Sequence, residues 1–326
     1  MTGITMIKAI NQALGDSLSQ DPNTLIIGQD VGVNGGVFRA TDGLQQRFGP
    51  SRVIDSPLAE SMLAGMAIGM AAQGLRPIVE FQFFGFIYSA IDQIISHAAR
   101  IRNRTRGRLT CPAVFRTPYG IGIRAPEHHS ESTEALFTHI PGLTVMAPST
   151  PQNAYDLLCQ SVKLDDPVLF LEPTRSYHRP QQTALVTNHH TPLQPNVICA
   201  GQDVTVIGWG AMIPDIVELV DNLNHDDLSI EIIDCLVLKP LNFEPIIESI
   251  KKTGRVVIVH EAAKFNGLGA EIAATIAERA AHYLLAPIKR VAGWDITPPY
   301  FAMEHYYLPS KERIAQAINE VYQYAP

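Results

Sequence analysis

The chain has 326 residues, 46% of them hydrophobic and 17% charged, which supplies apolar material for about two buried α/β cores. Its 25 basic and 32 acidic side chains leave a net charge of −7 without long runs of one sign, which excludes the electrostatic footprint of a nucleic-acid or anionic-membrane binder. Cys111, Cys159, Cys199 and Cys235 form no C-x-x-C pair, arguing against a zinc ribbon or a disulfide framework and for buried thiols in a reducing, cytoplasmic setting.

In chain order, Ile7, Ile10, Leu14 and Leu18 fall at helical spacing with polar residues between them, unlike the unbroken apolar core of a secretion signal. TLIIGQD, RPIVEF, CPAVFRT, LTVMAPS and PVLFLEP then read as strands buried on both faces, alternating with helical patterns, which predicts a parallel α/β sheet. GQDVGVNGG follows the first of these strands but leads into VFRATDGL without an immediate helix, so its glycines read as a tight turn in preference to a phosphate loop. The longest low-charge stretch, Ser61 to Gly74, is too short for the roughly 20 residues of a membrane span. Its Ala64, Gly65, Ala67, Gly69 and Ala71 predict a helix that admits a close neighbour. Ile87, Ile91, Ile94, Ile95 and Ala98 share one helical face, and the arginines from Arg100 to Arg108 read as a solvated or subunit-facing loop. Thr150 followed by Pro151 is a helix start.

From Thr174 to Asn196 the sequence is rich in Pro, His, Thr and Gln and reads as a connection between domains. A second series follows: DVTVIGWG, a helix from about Pro214, SIEIIDCLVL, a helix near Phe243 to Lys252, RVVIVHEA, a helix near Gly269 to Ala281, and IKRVAGW. A final helix carries Ile314, Ile318 and Val321 on one side. The expected organisation is a first domain over residues 1–185, a linker over 186–198 and a smaller α/β domain over 199–326.

G-x-x-x-x-G-K-[ST], H-E-x-x-H and G-x-S-x-G are all missing. Three segments remain as carriers of chemistry. Glu60 stands near the start of the small-residue helix, where a carboxylate either caps the dipole or reaches a ligand. Gln82 lies among Phe83, Phe84 and Phe86 at a strand–helix junction, where ligands of open α/β sheets bind; it grips a flat heterocycle or belongs to an aromatic core. TPYGIGIRAPEHHSES presents His128 and His129 on a glycine-containing loop, suited to proton transfer near neutral pH or simply solvated, and poorly spaced for a metal.

Taken together, LIIGQDVGVNGGVFRAT, SPLAESMLAGMAIGMAAQGLRPIVEFQFFGF, DQI and PEHHSES resemble the β subunit of the decarboxylating, thiamine-diphosphate-dependent component of 2-oxo acid dehydrogenase complexes. The resemblance covers essentially the full chain, since DCLVLKPLN and HEAAKFNGLGAEI are similar to the carboxy-terminal domain of that family. It implies a pyrimidine-binding domain followed by a transketolase-like domain. Glu60 matches the family glutamate that hydrogen-bonds the cofactor's pyrimidine N1′, sharing a proton that stabilises the imino tautomer. Leu58 and Gln82 match positions lining the aminopyrimidine pocket, Phe86 the aromatic position against that ring, and His129 the histidine that assists proton handling during acyl transfer. Arg124 departs from relatives that carry a further histidine there.

The resemblance also implies partners. Thiamine enzymes hold Mg²⁺ and the diphosphate with a Gly-Asp-Gly motif, which this sequence lacks, so an α subunit is expected to supply those ligands. Two α and two β chains would assemble and dock on a lipoyl acyltransferase core. Pyruvate is the first-ranked substrate, with the branched-chain 2-oxo acid and acetoin-cleaving enzymes as alternatives. Outside this class stand a non-catalytic assembly subunit and a free-standing transketolase-type enzyme.

Overall fold

A computed structural model describes residues 3–187, 189–223 and 228–325. Its first half contains strands β1 (Ile4–Thr5), β2 (Thr24–Gly28), β3 (Val53–Asp55), β4 (Arg76–Glu80), β5 (Val114–Tyr119), β6 (Thr144–Met146), β7 (Val168–Pro173) and β8 (Pro180–Gln181). The second half contains β9 (Asn196–Cys199), β10 (Val204–Gly208), β11 (Ile230–Asp234), β12 (Val237–Lys239), β13 (Val256–Ala263) and β14 (Lys289–Gly293). A seven-stranded sheet has the order β12-β6-β7-β5-β4-β2-β3, and a five-stranded sheet the order β14-β13-β10-β11-β9. Every pairing within them is parallel except β12 with β6 and β9 with β11, both at sheet edges. Strands β2, β5 and β7 are buried along their whole length, as their largely apolar sequences require when helices cover both faces.

The helix Pro151–Lys163 starts where the sequence places it: Thr150 Oγ1 accepts from the amide of Asn153 at 3.1 Å and Pro151 occupies the first turn. The last helix, Lys311–Tyr322, buries Ile314, Ile318 and Val321. One apolar cluster runs from Leu63, Phe81 and Phe115 through Trp209 to Ile233 and Ile258, so the two sheets share a core. Among the described residues no helix is long and apolar enough to cross a membrane.

Three sequence expectations need correction. SIEIIDCLVL is two strands: Leu236 adopts φ +53° and turns the chain, so β11 stays in the five-stranded sheet while β12 crosses to the edge of the seven-stranded one. The helix expected around Ile87 to Ala98 is a succession of short 3₁₀ and π turns, with Ile87, Ile94 and Ala98 buried nonetheless. Cys111 and Cys235 are buried thiols, but Cys159 and Cys199 are only half-buried. The Gly28–Gly36 segment is a turn, with Asp30, Gly35 and Gly36 at positive φ and the Asp55 carboxylate accepting from the amides of Gly32 at 2.6 Å and Val33 at 3.2 Å.

Candidate active site

Strands β3, β2, β4 and β5 lie side by side, and their register sets Gly28 opposite both Asp55 and Glu80, and Glu80 opposite Arg116. Their carboxyl ends therefore open on one edge, the position at which doubly wound sheets bind ligands. The segment after β3 supplies Leu58 and Glu60, that after β4 supplies Gln82 and Phe86, and the loop after β5 supplies His129.

Glu60 is the first residue of the helix Glu60–Ala72, where the helix dipole stabilises a carboxylate by about 0.3–1 kcal/mol. Leu58, Glu60 and Gln82 line one shallow recess with Gln29, Glu80 and Phe81, with an internal cavity volume of only about 10 Å³. Gln82 Nε2 donates to Asp30 Oδ2 at 3.3 Å, and Gln29 Oε1 is buried without a partner. Leu58, 66% exposed, stands at the mouth.

Ser89 connects this recess to the histidine loop. Its Oγ lies 3.3 Å from Glu60 Oε2 and 3.1 Å from the Phe86 carbonyl oxygen, and can donate to either. The Phe86 ring packs edge-on to His129 at 5.2 Å, and Phe83 does so at 4.3 Å. His129 Nδ1 is buried without a protein partner. The structure thus gathers Leu58, Glu60 and Gln82 around the recess and sets Phe86 and His129 beside it through Ser89. His128 is exposed, 6.4 Å from Phe86, and Arg124 is exposed at φ +58°.

Residues 2–180 match the family model "Transketolase, pyrimidine binding domain", and residues 194–314 match "Transketolase, C-terminal domain". Over its full length the chain is 43% identical to the pyruvate dehydrogenase E1 component subunit beta of Acholeplasma laidlawii, covering 100% of both. The chain belongs to the pyruvate dehydrogenase E1 beta-subunit family. The Bacillus subtilis protein of that name is 41% identical over 99% of this chain and 100% of its own length. A solved chain described as a split gene transketolase, inactive beta4 tetramer, superposes with a TM-score of 0.81, covering 98% of each chain at 20% identity, which shows the shared fold.

The sequence reading missed a buried ionic cluster beneath this recess. Arg116, 1% exposed, donates from Nε and Nη2 to Glu172 at 2.7 and 2.9 Å and from Nη1 to Glu80, which lines the recess. Tyr177 donates to Glu172 at 2.5 Å. Burial pushes the Glu80 carboxyl up against the pull of Arg116; burial opposes the charge on Arg116, yet the two carboxylates raise its pKa further. The available signal was a charged residue in each of three largely apolar strands: Glu80 in RPIVE, Arg116 in VFRTPY and Glu172 in VLFLEP.

A second buried set lies where the two sheets meet. Glu134 accepts from Trp209 Nε1 at 3.2 Å, and burial pushes its carboxyl up to about 7. His260 stacks beneath Trp209 with ring centroids 5.2 Å apart, and burial brings its pKa down to about 4. Asp234, raised to about 7 by burial, accepts from Ser149 Oγ and from the amide of Leu236 at 3.3 Å. Glu261, 6% exposed, reaches across to the loop that carries His129.

Proposed function

We propose that this chain is the β subunit of a pyruvate dehydrogenase and forms half of a thiamine-diphosphate site that an α chain completes. The observation that carries the reading is the recess at the sheet's carboxyl edge, lined by Leu58, Glu60 and Gln82, with His129 held beside it through Phe86. The names of the full-length relatives favour pyruvate over a branched-chain 2-oxo acid or acetoin.

The residues suit the edge of an aminopyrimidine: a half-buried carboxylate, an amide, and the partnerless Gln29 Oε1 all lie at one recess. When bound, thiamine diphosphate supplies the carbon nucleophile and the electron sink for loss of carbon dioxide. Glu60 holds a proton between its carboxylate and the ring nitrogen, with Ser89 Oγ within reach to steady Oε2. Leu58 and Phe86 would flank the ring and shield it from water. His129, whose Nδ1 has no protein partner, would donate or accept a proton during acyl transfer to a lipoyl group.

The absence of Gly-Asp-Gly from the sequence supports placing the Mg²⁺ and diphosphate ligands on the α chain. Two α and two β chains, docked on a lipoyl acyltransferase core in the cytoplasm, complete the proposal. In the reconstituted enzyme Glu60→Ala should lower pyruvate turnover by roughly 100- to 10,000-fold while the subunits still assemble. Full activity of that variant would favour a non-catalytic assembly subunit. Faster turnover of 3-methyl-2-oxobutanoate than of pyruvate by the unmodified enzyme would reassign the substrate.

A further inference from the structure

The loop bearing His129 has little structure of its own. Between β5 and the short helix Glu134–Thr138 it makes one 3₁₀ turn, Glu127–His129, closed by the amides of His129 to Pro126 O at 2.9 Å and Ser130 to Glu127 O at 2.8 Å. Its neck is closed by the amide of Gly120 to Glu131 O at 2.8 Å. What fixes this neck comes from the far half of the chain. Glu261, near the end of β13, accepts through a single oxygen, Oε1, from the amide of Ile121 at 2.5 Å and from Ser132 Oγ at 3.3 Å. Ile121 is on the outgoing leg of the loop and Ser132 on the returning leg, so one carboxylate grips both.

The grip is itself braced. Glu261 Oε2 lies 3.7 Å from Arg175 Nε, and Arg175 Nη1 donates to Asp215 Oδ2 at 2.8 Å. A second carboxylate, Glu304, accepts from the amide of Gly122 at 3.3 Å. Gly120 has φ +84° and a Cβ there would run into the Glu261 carboxylate, while a Cβ on Gly122, at φ +134°, would meet the Arg175 side chain. The backbone therefore approaches these groups as closely as glycine permits. On the opposite side the loop rests on the site, with His129 against Phe83 and Phe86 and the His128 carbonyl against Gly85.

We propose that Glu261 is a positioning residue for His129, carrying the second half of the chain into the geometry of the active site. This rests on the reading that His129 handles a proton in the reaction. A loop displaced by about 1 Å loses on the order of 100-fold in rate without losing its residues. In the assembled α/β enzyme Glu261→Ala should therefore lower kcat for lipoyl acylation about 100-fold with KM for pyruvate changed less than about 2-fold. Glu261→Gln, which keeps an acceptor oxygen for Ile121, should recover most of that rate.

Two further readouts separate positioning from simple destabilisation. Amide exchange should quicken in residues 120–133 of Glu261→Ala and stay unchanged in β2 and β4. The double variant Glu261→Ala with His129→Ala should be no slower than His129→Ala alone, because a displaced loop costs nothing once the side chain it presents is gone. A slow His129→Ala beside a full-speed Glu261→Ala, or losses that multiply in the double variant, would overturn the proposal. Full turnover by His129→Ala would instead remove the role of His129, and the exchange experiment would still report whether Glu261 clamps the loop. Should Glu261→Ala fail to assemble, Glu261→Gln and Ser132→Ala carry the test: quickened loop exchange with reduced kcat supports it, and wild-type values for both refute it.

Discussion

Replacing Arg116 by methionine removes the cation from a buried cluster and leaves the Glu80 and Glu172 carboxylates facing each other's charge with Tyr177 as their remaining hydroxyl partner. Arg116 is 1% exposed and Glu172 fully buried, so water cannot take its place. Breaking a buried pair by deleting one partner costs about 3–5 kcal/mol, far more than a surface pair contributes. For a chain of this size that amounts to a fall of roughly 4–7 °C in Tm. The sign of the pH dependence follows from Glu80: burial already raises its carboxyl above the ordinary value, and losing Arg116 removes the charge that pulls it down. The variant's deficit should then be smallest in acid, where that carboxyl is neutral in either state, and should grow as pH rises. Thermal unfolding of Arg116→Met and wild-type protein at pH 5 and pH 8 measures this. Equal melting temperatures at both values, or a larger deficit at pH 5, would refute the account of the cluster.

The Glu134 carboxyl, raised from 4.5 to about 7, contributes stability that is present below the unfolded value and is lost as pH rises through the folded one. Glu134→Gln should abolish that loss, gaining on the order of 3 kcal/mol over wild type between pH 4.5 and pH 8 in denaturant titrations. Thr150→Ala removes the acceptor for the Asn153 amide and should cost about 1 kcal/mol by the same measurement, without altering turnover. Gly120→Ala forces a side chain into φ +84° against Glu261; strain of about 1–3 kcal/mol and a slower acyl transfer step should appear together in unfolding and kinetic assays.

Much of the fold can be read from the sequence, for identifiable reasons. The largely apolar runs TLIIG and VLFLEP announce strands covered on both faces, because such strands show little polar alternation. Gln82 could be marked because it follows a strand at the edge where α/β sheets bind ligands, and Glu60 because it stands at the start of a helix. What stayed hidden depended on distant pairings. Arg116 meets Glu172 across 56 positions of sequence, and Glu261 meets Ile121 across 140, so neither partner signals the other locally. The break at Leu236 was hidden for a different reason: Leu236 is apolar and non-glycine, and IEIIDCLVL offers no turn residue to announce a positive φ beyond a single Asp.

The central claim is that this polypeptide grips only one end of the cofactor. Isothermal calorimetry of thiamine diphosphate with Mg²⁺, first against the isolated chain and then against the chain assembled with its α partner, tests it most directly. The account predicts tight binding in the assembly alone; tight binding by the isolated chain would contradict it.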